Sequence, residues 1–114
     1  MNKENNIKIL SERKQESSRL LLRYPDRIPI IVNPNNDNLP EIQQKKFLVP
    51  KTLNLGQFIY ILRKRIELKP DEAIFILINK TIVTSSSSID SLYNNHHNED
   101  GFLYMMYTNE ATFG

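Results

Sequence analysis

The most regular pattern in this chain is an apolar stripe that begins just after Asn54. Five apolar residues recur at the spacing of one helix face: Leu55, Phe58, Ile59, Leu62 and Ile66. Asn54 can cap this helix, and Gln57 stands at the third helical position, where it completes a capping box. Because a single amphipathic helix must bury its stripe against another element, the segments around it decide the fold.

Four strand patterns flank this helix, two on each side. Residues 27–32 are rich in Ile and Val, and residues 45–50 form a second short strand that ends in proline. Beyond the helix, residues 74–78 and 102–107 are apolar at alternating and intervening positions alike, which is typical of strands covered on both faces. Two strands, a crossing helix and two more strands form the order of a ubiquitin-like β-grasp fold of the α+β class.

The N-terminal segment is a further helical element. Residues 11–22 contain neither Gly nor Pro and predict a helix that buries only its apolar end, whereas the polar residues 1–6 are expected to be mobile. This helix is free to cover the second sheet face. Residues 89–93 predict one helical turn and residues 94–101 a polar loop. Pro29, inside the first strand, cannot donate a ladder bond and predicts an edge, a bulge or an adjoining pocket.

Composition narrows the function. The chain has 114 residues and no cysteine, which excludes disulfides, thiol nucleophiles and thiolate metal sites. No apolar run approaches the length of a membrane span and no signal peptide is evident, so we expect a cytoplasmic protein. His96 and His97 near Glu99 and Asp100 predict a solvated loop rather than a metal site, because adjacent histidines rarely converge on one ion.

Charge is distributed unevenly along the chain. Residues 1–65 carry 13 Lys and Arg against 6 Asp and Glu, whereas residues 66–114 carry 2 against 7. The basic half predicts an acidic partner, with solvated faces as the plain alternative. Nucleic acid is not the expected partner, because no aromatic residues interleave with Arg63, Lys64 and Arg65 as a stacking platform requires.

Five blocks resemble a known family. They are Arg27-Ile28-Pro29-Ile30-Ile31, Lys45-Lys46-Phe47-Leu48-Val49-Pro50, residues 56–66, Asp100-Gly101-Phe102-Leu103-Tyr104 and the final Thr112-Phe113-Gly114. In this order they resemble the autophagy ubiquitin-like modifiers, the family of light chain 3 and the GABA-receptor-associated protein, over roughly residues 12–114. The resemblance implies a β-grasp domain with additional N-terminal helices: a helical extension at 1–26, a core at 27–110 and a conjugation tail at 111–114.

The same resemblance implies conjugation to a lipid. Gly114 would be the acyl donor and Phe113 part of the tail gripped by the enzymes; a glycine has no Cβ to obstruct a narrow channel. The implied partners are an ATP-dependent activating enzyme, a conjugating enzyme, phosphatidylethanolamine on the autophagosome membrane and a cysteine protease that releases the lipidated form. The protein would be a substrate and adaptor rather than an enzyme, and no cofactor is implied. Since Gly114 stands last, either no priming cleavage is needed or the sequence is already processed.

The resemblance further implies a site for extended peptides carrying an aromatic residue, two spacers and an aliphatic residue, flanked by acids. Such peptides add a strand to a sheet edge, here Lys46-Phe47-Leu48. The aromatic pocket would comprise Glu16, Leu20, Pro29, Ile31, Lys46, Leu48 and Phe102. The aliphatic pocket would comprise Phe47, Val49, Pro50, Leu53, Phe58 and Ile61. Arg27, Lys45, Lys46 and Arg65 would meet the acidic flank.

Plainer interpretations stay open for several of these residues. Phe58 and Ile61 fit a core as well as a pocket, and Leu20 fits simple helix packing. A β-grasp module that binds peptides without being conjugated is the alternative function. The N-terminal ten residues lack the family's aromatic-proline approach, so the family roles of that segment do not carry over.

Overall fold

The computed structural model describes residues 3–110, which form one five-stranded sheet with helices on both faces. The elements are α1 (Lys3–Arg23), β1 (Arg27–Pro34), β2 (Lys46–Pro50), α2 (Leu55–Arg63), β3 (Phe75–Ile78), β4 (Thr81–Ile82), α3 (Ile89–His96) and β5 (Leu103–Thr108). The strand order is β2-β1-β5-β3-β4, with β1 and β5 parallel at the centre and the other pairs antiparallel. The predicted β-grasp arrangement is confirmed.

Helix α2 forms where the apolar stripe and the capping box predict it. Asn54 Oδ1 accepts from the Gln57 N–H at 2.9 Å, and Gln57 Oε1 accepts from the Asn54 N–H at 2.9 Å. Both reciprocal bonds satisfy amides that the first helical turn leaves without partners. Leu55, Phe58 and Leu62 of this helix are fully buried in the main core, together with residues of all three inner strands.

The opposite face of the sheet is covered by α1. Ile31, Leu77 and Phe102 are buried there, apart from the core beneath α2. Ser17 is the buried residue of α1, and its hydroxyl donates to the Asp100 carbonyl at 2.7 Å. This contact joins the helix to the loop that precedes β5.

The N-terminal region differs from the expectation in two respects. It forms one continuous helix instead of several, and that helix begins at Lys3 rather than near Ser11. The reason lies in the sequence, because no proline or glycine interrupts residues 3–23. The predicted partial burial is confirmed, since residues 3–9 are exposed and the contacts with the sheet come from the second half.

Strand β4 was not predicted, and helix α3 is longer than predicted. Strand β4 pairs with β3 through a turn in which Asn79 and Lys80 both have positive φ values of 51° and 65°. Such turns usually contain a glycine, and this one has none. Helix α3 continues to His96, over residues predicted as loop, because Ser88 caps its first turn and the His97 N–H bonds back to the Tyr93 carbonyl.

Candidate functional site

Strand β2 is an outer strand of the sheet, so one side of its backbone has no neighbouring strand in the described residues. The Val32 N–H of β1 donates to the Lys45 carbonyl at 2.8 Å. Backbone directions alternate along an antiparallel pair. Lys45, Phe47 and Val49 therefore direct their backbone groups toward β1, and Lys46 and Leu48 direct theirs away from the sheet.

A cavity of about 370 Å³ lies between this edge and α1. Its lining residues are Glu16, Leu20, Gln44, Lys46, Phe47, Leu48 and Phe102. Five of these belong to the predicted aromatic pocket. Pro29 and Ile31, also predicted, are buried and pair in register with Leu48 and Lys46, so their side chains lie on the same sheet face as those two.

Gln44 is the lining residue that the sequence reasoning missed. It stands two positions before Lys46, and the period of two along a strand edge could have pointed to it. Phe47 also lines this cavity, although it was predicted for the aliphatic pocket. The two predicted pockets therefore meet at Phe47, whose side chain packs in the core on the α2 side of the sheet.

An ion pair stands at the mouth of the cavity. Lys46 Nζ lies 2.6 Å and 2.8 Å from the two carboxylate oxygens of Glu16, which bridges β2 to α1. Because the Lys46 side chain is 55% exposed, the pair contributes only about 0–1 kcal/mol to stability. It can therefore be exchanged for a ligand group at little expense in folding free energy.

A buried polar network holds the rear wall of the cavity. The Phe102 N–H donates to Asp100 Oδ1 at 3.0 Å, and the Tyr104 hydroxyl donates to Asp100 Oδ2. Arg13 of α1 donates to the Tyr104 hydroxyl at 3.2 Å. Burial, together with the neighbouring Asp100 carboxylate, raises the pKa of Tyr104 to about 12. The network thus fixes Phe102 relative to α1 while Tyr104 stays neutral.

Pro29 marks the point where the central ladder begins. Since Val32 turns its N–H toward β2, residues of β1 with odd numbers turn toward β5. The pairing of β1 with β5 starts one residue later, at Ile30 and Leu103. The proline nitrogen therefore lies just outside the ladder, and the proline sits opposite Leu48 of the cavity.

Phe47, Val49 and the α2 residues of the predicted aliphatic pocket lie on the α2 side of the sheet, whereas Pro50 ends β2 on the face of Leu48. Phe47, Val49 and Phe58 are buried in the main core, and the rings of Phe47 and Phe58 meet edge to face at 5.4 Å. Pro50, Leu53 and Ile61 are half-buried at its rim. Phe58 is fully inside the core, and Pro50, Leu53 and Ile61 are partly accessible.

The basic residues predicted for an acidic flank are placed differently from one another. Arg27 Nη1 donates to the outward-facing carbonyl of Leu48 at 3.3 Å, so it already lies along the β2 edge. Lys45 and Arg65 have exposed side chains. Phe113 and Gly114, the predicted conjugation tail, lie outside the described residues.

His97, considered above as a possible metal ligand, contacts Tyr93 in the structure. His97 stacks on the Tyr93 ring at 4.9 Å, and its Nδ1 lies 2.8 Å from the Tyr93 carbonyl. Between residues 3 and 110, no three His, Cys, Asp or Glu side chains are grouped so that they could hold a metal ion. Nor does any helix there combine the length and apolar character needed to cross a bilayer.

Comparison with known proteins identifies the family. The family model described as autophagy protein Atg8, ubiquitin-like, matches residues 12–114. Autophagy-related protein 8h of Arabidopsis thaliana is 45% identical over 104 residues, which cover 90% of this chain and 87% of that protein.

Two solved structures are similar in fold as well as sequence. The crystal structure of Trypanosoma brucei ATG8 superposes with a TM-score of 0.85 at 42% identity, covering 92% of this chain and 91% of that one. Plasmodium falciparum Atg8, solved in complex with a Plasmodium falciparum Atg3 peptide, gives 0.82 at 30% identity, covering 99% and 100%. Because the family model matches residues 12–114, about nine-tenths of the chain, this protein belongs to the Atg8 family of autophagy ubiquitin-like proteins.

Proposed function

We propose that this protein is a modifier that docks short extended peptides along β2 and is conjugated through Gly114 to phosphatidylethanolamine. The observation that carries the docking proposal is the open edge of β2 beside a cavity of aromatic size. A strand added at this edge gains main-chain hydrogen bonds, and the cavity selects its side chain.

The positions of the two predicted pockets favour one orientation of the ligand strand relative to β2. The cavity lies at the Lys46 end of β2, whereas the accessible aliphatic residues Pro50 and Leu53 follow its other end. An aromatic residue and an aliphatic residue three positions later are about 10 Å apart in an extended chain. This span fits the length of β2 when the ligand runs parallel to it, with its acidic N-terminal flank near Lys45.

Peptide binding can be tested by fluorescence anisotropy with a labelled peptide that carries Trp, two spacers and Leu behind two glutamates. Replacing Lys46 and Leu48 together by alanine removes the ion pair and a cavity wall, and we expect binding to be lost. Lys80→Ala, in the β3–β4 turn at the far edge of the sheet, is the matched control and should bind normally. Full affinity after the double substitution would refute the site.

Conjugation is supported by the family assignment and by the Thr112-Phe113-Gly114 ending. Phosphatidylethanolamine carries two acyl chains, and two chains give stable membrane anchoring where one gives only marginal binding. The enzymes of the pathway would thus attach the domain to the autophagosome membrane. A cysteine protease would reverse the reaction, and the protein itself would be acted upon rather than catalyse.

The test is a reconstitution with activating enzyme, conjugating enzyme, ATP and liposomes containing phosphatidylethanolamine. We expect a lipid adduct with the native chain and none with Gly114→Ala. The non-conjugated adaptor, our second candidate, predicts no adduct from either protein and unchanged localisation of Gly114→Ala in cells. The conjugation proposal is abandoned if the native chain yields no adduct under conditions where a plant relative does.

A further inference from the structure

The open edge of β2 is already occupied by side chains of the same molecule. Gln44 Nε2 donates to the Lys46 carbonyl at 2.8 Å, and Arg27 Nη1 donates to the Leu48 carbonyl at 3.3 Å. These are the two carbonyls that β2 directs away from the sheet between Lys46 and Leu48. We call Gln44 and Arg27 the edge cap.

A strand added at this edge needs the same two acceptors. Neighbouring strands lie about 4.8 Å apart, and this gap leaves no room for a side chain between them. The Gln44 amide and the Arg27 guanidinium occupy that space in the free protein. A ligand strand and the edge cap therefore exclude each other.

We propose that the edge cap closes β2 to strand addition and that a ligand binds only by displacing both Gln44 and Arg27. This inference rests on the docking function proposed above. Exposed strand edges pair readily with other chains, and natural proteins often protect them. The edge cap gives such protection with side chains between Lys46 and Leu48, ahead of the proline that ends β2, so this part of the edge remains usable once the cap is removed.

The two halves of the edge cap respond to different parts of a ligand. Arg27 exchanges the Leu48 carbonyl for a carboxylate at the C-terminal end of an acidic ligand, and a guanidinium–carboxylate pair can form two parallel bonds where the carbonyl accepts one. Gln44 is neutral and lines the cavity, so an aromatic side chain entering the cavity displaces it by volume. An extended chain with neither feature displaces neither residue. The edge cap thus selects for acidic peptides with an aromatic anchor.

The first experiment removes each half of the edge cap and measures peptide affinity by anisotropy. Gln44→Ala should bind the Trp-x-x-Leu peptide about two- to fivefold more tightly, because an exposed hydrogen bond no longer has to be broken. Gln43→Ala, an exposed glutamine one position earlier, is the control and should match the native protein. Unchanged or weaker binding by Gln44→Ala would overturn the proposal.

Arg27→Ala provides a sign test with two peptides. A Trp-x-x-Leu-Glu peptide, whose glutamate lies at the Pro50 end of β2 near Arg27, should bind more weakly, because it loses a charge partner, whereas the neutral Trp-x-x-Leu-Gln peptide should bind about twofold more tightly. Plain charge attraction predicts no gain for the neutral peptide, so the absence of that gain would contradict the cap role of Arg27.

A measurement on the free protein separates this inference from the docking proposal. The carbonyl carbon resonance of Lys46 should move in Gln44→Ala and stay in place in Gln43→Ala, because only the first loses a bond to that oxygen. If the Lys46 resonance does not move in Gln44→Ala, the edge cap is refuted, whatever the peptide affinities are. If it moves and no peptide binds the native protein, the edge cap stands and the docking proposal fails.

Discussion

Gly101 lies between Ser17 of the N-terminal helix and Phe102 of the cavity. Replacing it by alanine tests how closely the helix packs on this loop. Its φ is +85°, a conformation that disfavours any side chain, and an added Cβ would lie 2.8 Å from Ser17 Cβ and closer still to Ser17 Oγ. The neighbouring Phe102 lines the cavity, so any shift of this loop also reaches the peptide site.

Three effects of Gly101→Ala add up. The positive φ costs an L-residue about 1–2 kcal/mol. Ser17 Oγ must leave the Asp100 carbonyl, which forfeits a buried hydrogen bond worth about 1 kcal/mol. The remaining contact with Ser17 Cβ forces α1 and the loop apart, at about 1–3 kcal/mol. We therefore expect a loss of about 3–6 kcal/mol in the free energy of unfolding, a large part of the typical total.

The assay is equilibrium unfolding in urea, followed by circular dichroism. Gly56→Ala is the matched control, because its added Cβ would find its nearest neighbours at 3.4 Å and the position lies in α2. Alanine should stabilise that helix by about 0.5–1 kcal/mol. Opposite signs for the two Gly→Ala changes are the expected result. A loss below about 1 kcal/mol at Gly101 would show that α1 is not packed on this loop.

Three further predictions concern the same framework. Asn54→Ala should lower stability by about 1 kcal/mol in urea unfolding, because the capping box is lost; an unchanged midpoint would argue against the box. Phe58→Ala should cost about 3–5 kcal/mol as a core residue, whereas Ile61→Ala at the rim should weaken peptide binding with little change in stability; the reverse pattern would exchange their roles. Because the pKa of Tyr104 in the folded protein is raised to about 12 from its ordinary value of 10.0, its contribution to folding stability is complete below pH 10 and is lost as the pH rises toward 12; a Tyr104→Phe protein should show a shallower alkaline decline in thermal melts.

Periodicity in the sequence predicted the elements that bury apolar faces. The stripe from Leu55 to Ile66 and the capping box placed α2, and the fully apolar residues 74–78 and 102–107 placed the inner strands. These signals are strong because burial requires apolar residues at every second position of a strand, or at every third and fourth position of a helix. The short β4 hairpin escaped prediction, because its turn uses Asn79 and Lys80 where a glycine is the usual sign.

The candidate site was only partly accessible to the same reasoning. The family resemblance supplied the residues of the aromatic pocket, and five of them line the cavity. Gln44 was missed because its contribution is a bond to a backbone carbonyl, which leaves no mark in a hydropathy pattern. Arg27 was assigned to an acidic ligand, and its bond to the Leu48 carbonyl in the free protein depends on the strand register, which composition does not reveal.

The parallel pair at the centre of the sheet also constrains how the chain is made. Ile30 pairs with Leu103, 73 positions later, so β1 gains its central neighbour only after β5 has been synthesised. At about 5–20 residues per second, the β1–β2 hairpin waits several seconds on the ribosome with one flank of β1 unpaired. A nascent chain that ends before Leu103 holds two separate hairpins, β1–β2 and β3–β4, and no sheet to join them. The sheet can therefore close only once β5 is present, and shorter fragments leave the inner edges of β1 and β3 open to chaperones and proteases.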